Sequence, residues 1–112
     1  MIFVTGPMFS GKREYIRSAL GWTEEELRQR AVWDVQDLAT EDMDLTVLAE
    51  ELARKPVVIA TETGGGVVPA DPDARRRREA AGRLSCLLAA RADTVVRVCC
   101  GLPQILKGGT FS

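Results

Sequence analysis

A chain of 112 residues with 46% hydrophobic and 28% charged residues has the composition of a folded protein and the length of one domain, which excludes a disordered chain and a second domain. Fifteen basic and sixteen acidic side chains leave a net charge of −1, so no bulk field draws the chain to nucleic acid or to a membrane, and any anion site must be local. Cys86, Cys99 and Cys100 come without a single histidine and without zinc-type spacing, which argues against metal binding through Cys99 and Cys100 and suits buried thiols in a reducing compartment.

The start, Met1-Ile2-Phe3-Val4-Thr5-Gly6, lacks the charges and long apolar stretch of a signal peptide. No later apolar run is long enough to span a bilayer, so the expectation is a cytoplasmic protein. Ile2 to Thr5 is a β-branched and aromatic run ending at glycine, as suits a buried strand. Gly6 to Lys12 reads as a loop, and a helix is expected from about Gly11 to Leu20. Thr23 stands three residues before Glu26, a capping-box spacing that predicts a short helix through Gln29. Ala31 to Val35 is the next strand. Asp44 can cap a helix that places Leu45, Leu48 and Leu52 on one face.

Pro56 to Thr61 is nearly all apolar, the pattern of a strand covered on both faces. Gly64-Gly65-Gly66 opens a loop that closes near Pro69. Asp71 or Asp73 caps a long helix through Ala92, with Ala80, Leu84, Leu87 and Leu88 on its buried side. Thr94 to Cys99 is the last strong strand, and Gln104 to Lys107 an edge strand. Strands alternating with helices imply right-handed crossovers and helices on both faces of a sheet.

Gly6-Pro7-Met8-Phe9-Ser10-Gly11-Lys12 matches the GxxxxGK core of a Walker A loop, and it lies between a strand and a helix as that loop requires. Glycines let successive backbone N–H groups turn inward around a phosphate, and the helix N-terminus adds the positive end of its dipole. Lys12 would reach the β- and γ-phosphate oxygens of ATP or GTP as a mobile point charge. An ordinary glycine-rich turn is the plain alternative. The fold expectation is therefore one α/β domain over residues 1–112, P-loop NTPase-like (RecA-like), with a mostly parallel sheet flanked by helices. One position departs from the motif. A Walker A loop ends in Ser or Thr, whose hydroxyl ligates Mg2+. Arg13 stands there instead and has no acceptor atom. It can neutralise phosphate charge itself, or simply face solvent or an acidic neighbour.

Further along, Thr61-Glu62-Thr63-Gly64-Gly65-Gly66-Val67-Val68-Pro69 resembles the "NEVGxGIVP" segment of the bifunctional adenosylcobinamide kinase/adenosylcobinamide-phosphate guanylyltransferase family. Arg75, Arg77, Arg78, Glu79, Gly82, Ser85, Leu88 and Ala89 fall in order on a helix similar to that family's "RxFRDxxGxxNxxLA". Ala92 to Val96, then Gly101-Leu102-Pro103 and Lys107, resemble its last strand and "GLPxxLK" ending. The resemblance covers about residues 1–20 and 56–108. It implies a trimeric P-loop α/β protein of cobalamin biosynthesis, which phosphorylates the aminopropanol side chain of adenosylcobinamide and then transfers GMP through a histidine intermediate.

The departures are chemical. With no histidine in the chain, the guanylyl-histidine intermediate cannot form, and the segment before Pro56 is much shorter than the family's. By resemblance, Arg13 replaces a serine, Thr61 and Ser85 replace asparagines, and Glu79 replaces an aspartate. The resemblance therefore implies a kinase whose activity is weak or residual, with a corrinoid as the second ligand. A non-catalytic module that binds nucleotide or corrinoid is the alternative. The loop alone is also close to that of thymidine kinases with a zinc-binding lasso, but the cysteine quartet of that family is absent.

Four further sets of residues are candidates. Asp34 ends the run Ala31-Val32-Trp33 and is the acidic group expected to bind Mg2+ beside the loop, against the plainer reading of a cap or loop aspartate. Glu62 follows a buried strand, where α/β proteins place ligand-contacting groups, and would serve as a base or assist the metal. Arg75 to Arg78 point around most of a helix, so at most two of them face one site, and the resemblance favours Arg75 and Arg78 for phosphate. Gly82 costs its helix about 1 kcal/mol relative to alanine, which suggests close approach by another backbone or subunit. Trp22 and Trp33 read as packing residues.

Overall fold

The computed structural model describes residues 1–40, 42–62 and 70–109. Strand β1 (Ile2–Gly6) leads through the glycine-rich loop into helix α1 (Lys12–Leu20). Left-handed glycines bracket that helix, Gly11 at φ 91° and Gly21 at φ 66°, a conformation only glycine adopts without strain. Helix α2 (Glu24–Arg30) starts on the expected capping box: the Glu26 N–H donates to Thr23 Oγ1 at 3.1 Å, and the Thr23 N–H donates to Glu26 Oε1 at 3.3 Å.

Strand β2 is shorter than its sequence suggests, covering Ala31–Val32 rather than Ala31 to Val35. Asp34 turns left-handed at φ 52°, and Val35–Leu38 form a 3-10 helix that buries Val35 completely. The apolar Val35 therefore reaches the core from a turn, which a periodicity argument cannot separate from a strand. Helix α3 (Leu45–Leu52) is capped by Asp44, whose Oδ1 accepts from Thr46 N at 3.0 Å and Val47 N at 3.3 Å. Strand β3 (Val57–Thr61) precedes helix α4 (Pro72–Arg91), which Asp71 caps and Pro72 begins. The loop expected from Gly64 to Pro69 lies outside the described residues. Strands β4 (Thr94–Cys99) and β5 (Leu102–Lys107) form a hairpin through Cys100 and Gly101, both with positive φ, so the edge strand starts two residues before Gln104.

The strand order is β2-β3-β1-β4-β5, parallel throughout except for the antiparallel β4–β5 pair. Val4 in β1 pairs with Ile59 of β3 and Val96 of β4, so the loop-bearing strand runs through the middle of the sheet. Alternation splits the core in two. Phe3, Val58, Ala60 and Val95 pack under α3 and α4 with Leu52, Leu84 and Leu88. Val4, Val57, Ile59 and Val96 pack under α1 and α2 with Ile16 and Leu27. Each such fully buried aliphatic side chain contributes on the order of 1.5–3 kcal/mol.

Leu87 packs half-buried against the core on the expected side of α4, and Ala81 joins the buried face. One expectation about side chains needs correcting. The cysteines are free but not buried: Cys86 and Cys100 are exposed and Cys99 is half-buried. Cys100 sits in the β4–β5 turn and Cys86 on the outer side of α4, positions that sequence neighbours alone do not reveal. Among the described residues no helix is long and apolar enough to cross a membrane.

Candidate functional site

The carboxyl ends of β1, β2 and β3 and the start of α1 converge on the glycine-rich loop, the place where open α/β sheets bind ligands. Gly6 is required there. A Cβ at this position would stand 2.2 Å from the Val98 carbonyl oxygen, and the backbone lies at φ 152°. Phe9 turns the loop at φ 58°, a left-handed conformation rare outside glycine, with its ring 97% exposed. The Gly101 N–H donates to the Ser10 carbonyl at 2.7 Å, tying the loop to the β4–β5 turn.

Lys12 is only 7% exposed, and its ammonium donates to the carbonyls of Gly6 at 3.0 Å and Pro7 at 2.8 Å. Burial holds its pKa below the ordinary lysine value, and the nearby carboxylates of Asp34 and Glu62 oppose part of that shift. Ser10 is 5% exposed, and its Oγ has no hydrogen-bond partner among the described residues. Loop and neighbours enclose a recess of about 440 Å³ lined by Met8, Ser10, Lys12, Arg13, Trp33 and Asp34, among others. Pro7 belongs to the same loop and is half-buried.

Arg13 lies at the rim. Its Nη2 is 3.0 Å from Glu24 Oε2, and its guanidinium sits 5.9 Å from the Trp33 ring centroid. Glu24 also takes Arg17 at 3.3 Å, so one carboxylate of α2 holds two arginines of α1. The acidic neighbour expected as one reading of Arg13 is therefore Glu24, and the guanidinium also lines the recess of the loop. Trp33 packs against the core as expected and also walls this recess.

Asp34 stands beyond β2, where the sequence places it. Its Oδ1 accepts from Thr61 Oγ1 at 2.8 Å and Gln36 Nε2 at 3.4 Å, and Gln36 in turn accepts from the Thr61 N–H at 2.9 Å. Glu62 donates its backbone N–H to the Gly6 carbonyl at 2.9 Å. Its side chain is gripped by Arg97, Nε to Oε1 at 2.6 Å and Nη2 to Oε2 at 2.9 Å. Those hydrogen bonds first, and the Arg97 and Lys12 charges after them, hold the Glu62 carboxyl below the usual range. Among the described residues no group of three or more His, Cys, Asp or Glu gathers to hold a metal.

Residues 16–106 match the profile of the family described as cobinamide kinase / cobinamide phosphate guanyltransferase. The chain belongs to that family. A comparison with curated proteins gives no match. The matched region begins after the loop, so the loop's role rests on its own geometry, while the family connects the chain to cobalamin biosynthesis and nucleotide-related chemistry.

Seen as a member of the cobinamide kinase / cobinamide phosphate guanyltransferase family, the rest of the chain divides into site and scaffold. Arg78 is half-buried and lines a small recess of about 220 Å³ with Glu62, Gln36, Thr61 and Ser85. Arg75 is exposed and lines neither this recess nor that of the loop, so the expected phosphate-facing pair is not brought together. Lys107 is scaffold: its ammonium caps the last turn of α4 by donating to the Ala89 and Ala90 carbonyls at 3.1 and 3.0 Å. A Cβ at Gly82 would meet nothing within 4 Å among the described residues, so no backbone of the described chain explains this glycine. Sequence reasoning missed Arg97 and Gln36. A lone charge within the apolar run Thr94 to Cys99 was the available signal for Arg97.

Proposed function

We propose that this chain is a nucleotide-binding protein of cobalamin biosynthesis that holds the phosphates of ATP or GTP in the β1–α1 loop and phosphorylates adenosylcobinamide only weakly. The buried Lys12, at the start of α1 and bracketed by Gly6 and Gly11, carries this reading. Its ammonium now rests on the loop's own carbonyls, which a phosphate oxygen would replace as partner. In the transfer, the substrate hydroxyl oxygen attacks the γ-phosphorus, the bond to the β-bridging oxygen breaks, and the nucleoside diphosphate leaves. Lys12 stabilises the charge on the phosphate oxygens, and Glu62, freed from Arg97, accepts the hydroxyl proton. Arg78 is the cation proposed to face substrate phosphate across the Glu62 recess. Guanylyl transfer is not part of the proposal, because the 112 residues contain no histidine to carry the guanylyl group.

The homotrimer that the resemblance implies belongs to the same proposal. The edge strand β5, exposed along its whole length with Leu102, Ile105 and Leu106 uncovered, supports it. Sedimentation velocity across a concentration series checks it.

The functional test is calorimetric titration of ATP and GTP into the protein and into Lys12→Ala, followed by transfer of γ-labelled phosphate to adenosylcobinamide. Nucleotide binding that depends on Lys12, with slow label transfer, is the expected result. Binding without any transfer at high protein concentration would favour the second reading, a non-catalytic module. That reading has its own support: Glu62, the proposed base, is held by both carboxylate oxygens.

A further inference from the structure

We propose that the loop binds nucleotide phosphate without a divalent cation, the Arg13 guanidinium supplying the positive charge that Mg2+ supplies in related loops. The inference rests on the phosphate-loop reading above and concerns how that same site neutralises its ligand.

Three observations on the donor set carry it. First, the position that should offer a hydroxyl to the metal carries a guanidinium, which has five donors and no lone pair to give. Second, the two acidic groups expected to hold the metal carry hydrogen bonds that a cation would have to share or displace. Asp34 Oδ1 accepts two hydrogen bonds, and both oxygens of Glu62 are taken by Arg97 in a fork that suits a carboxylate. Third, these two carboxylates form no three-membered cluster with another acidic or sulfur ligand among the described residues. Mg2+ at a phosphate loop is held by the loop hydroxyl and one or two carboxylates beside the substrate phosphates. Here the hydroxyl is replaced and both carboxylates are hydrogen-bonded, so the donor set fits it poorly.

The same recess does fit a polyanion. Lys12 lies within it and Arg13 at its rim, at the N-terminus of the nine-residue helix α1. Ser10 adds a buried hydroxyl with no partner, a donor that a phosphate oxygen would satisfy. Glu24 and Trp33 hold the guanidinium at the rim, close to where a phosphate chain would lie. Because that ion pair is half-exposed, it is weak enough to yield to a multiply charged ligand. A divalent cation entering beside these two fixed charges would meet repulsion, whereas a bare triphosphate meets two cations and a helix dipole.

The experiment is calorimetric titration of ATP and of inorganic tripolyphosphate, once with excess EDTA and once with Mg2+. The proteins are the wild type, Arg13→Ser, Arg13→Lys and Lys12→Ala. The wild type is expected to bind with affinities that agree within about twofold in the two buffers. Losing a charge-assisted contact costs roughly tenfold, so Arg13→Ser is expected to weaken binding by about that factor in EDTA. Arg13→Lys, which keeps the charge, should retain most of the wild-type affinity. Wild-type binding that depends on Lys12 and tightens tenfold or more with Mg2+ overturns this inference and leaves the phosphate-loop reading intact. Wild-type affinity unchanged by Arg13→Ser in EDTA overturns it as well. No binding in either buffer overturns both.

Discussion

Lys12 is buried and, among the described residues, hydrogen-bonds to the carbonyls of its own loop, an arrangement that makes the site sensitive to pH. Its folded pKa is lowered, chiefly by burial. In the proposed function the charged form binds phosphate, so nucleotide affinity is expected to fall as pH rises through that lowered value, below the ordinary lysine pKa of about 10.4. Stability moves the other way. Within that window the unfolded chain binds more protons than the folded one, so the folded state gains stability as pH rises. Titrations of ATP from pH 7 upward check the first statement. Lys12→Arg supplies the control, since a guanidinium stays charged and should flatten the profile. Gly6 and Lys12 could be singled out in the sequence because the GxxxxGK spacing has a mechanism behind it. The Glu62–Arg97 fork was not legible, since it joins residues 35 apart in sequence, one after β3 and one in β4, which meet only because both strands flank β1.

At the scale of the element, local chemistry decided most boundaries. The α2 capping box makes both its reciprocal hydrogen bonds, so Thr23→Ala is expected to cost about 1 kcal/mol in urea denaturation. Helix α4 carries Gly82 in its interior, with open space where a side chain would stand among the described residues. Gly82→Ala is therefore expected to stabilise the protein by about 1 kcal/mol in the same assay. A loss of stability would instead place another backbone against α4 at that point. Strand β2 shows where element reading fails. Ala31 to Val35 has the composition of a strand, yet Asp34 adopts the left-handed conformation and Val35 drops into the core from a 3-10 turn. Aspartate tolerates that conformation better than most residues, but nothing in the local pattern demands it.

At the scale of the whole molecule, the two-faced core keeps the central strand β1 fixed, so the loop at its end is built on a rigid support. A ligand that binds only the folded state stabilises it by mass action. ATP at a hundred times its dissociation constant should add about 2.7 kcal/mol to stability, read as a rise in melting temperature. Lys12→Ala should abolish the rise while leaving the fold intact.

Alternating apolar runs, helix caps and one glycine-rich spacing were enough to determine that this is an α/β chain with a glycine-rich loop between β1 and α1, because those signals act over a few residues. The same holds for the family motifs of the second half, which the match over residues 16–106 supports. Tertiary structure alone decided what the charged groups do. It set Arg13 between Glu24 and Trp33, gave Glu62 to Arg97, brought Arg78 and Glu62 to one recess and left Arg75 exposed. The physical reason is range: propensity and capping are local, whereas an ion pair depends on which strand ends and helix starts the sheet order brings side by side.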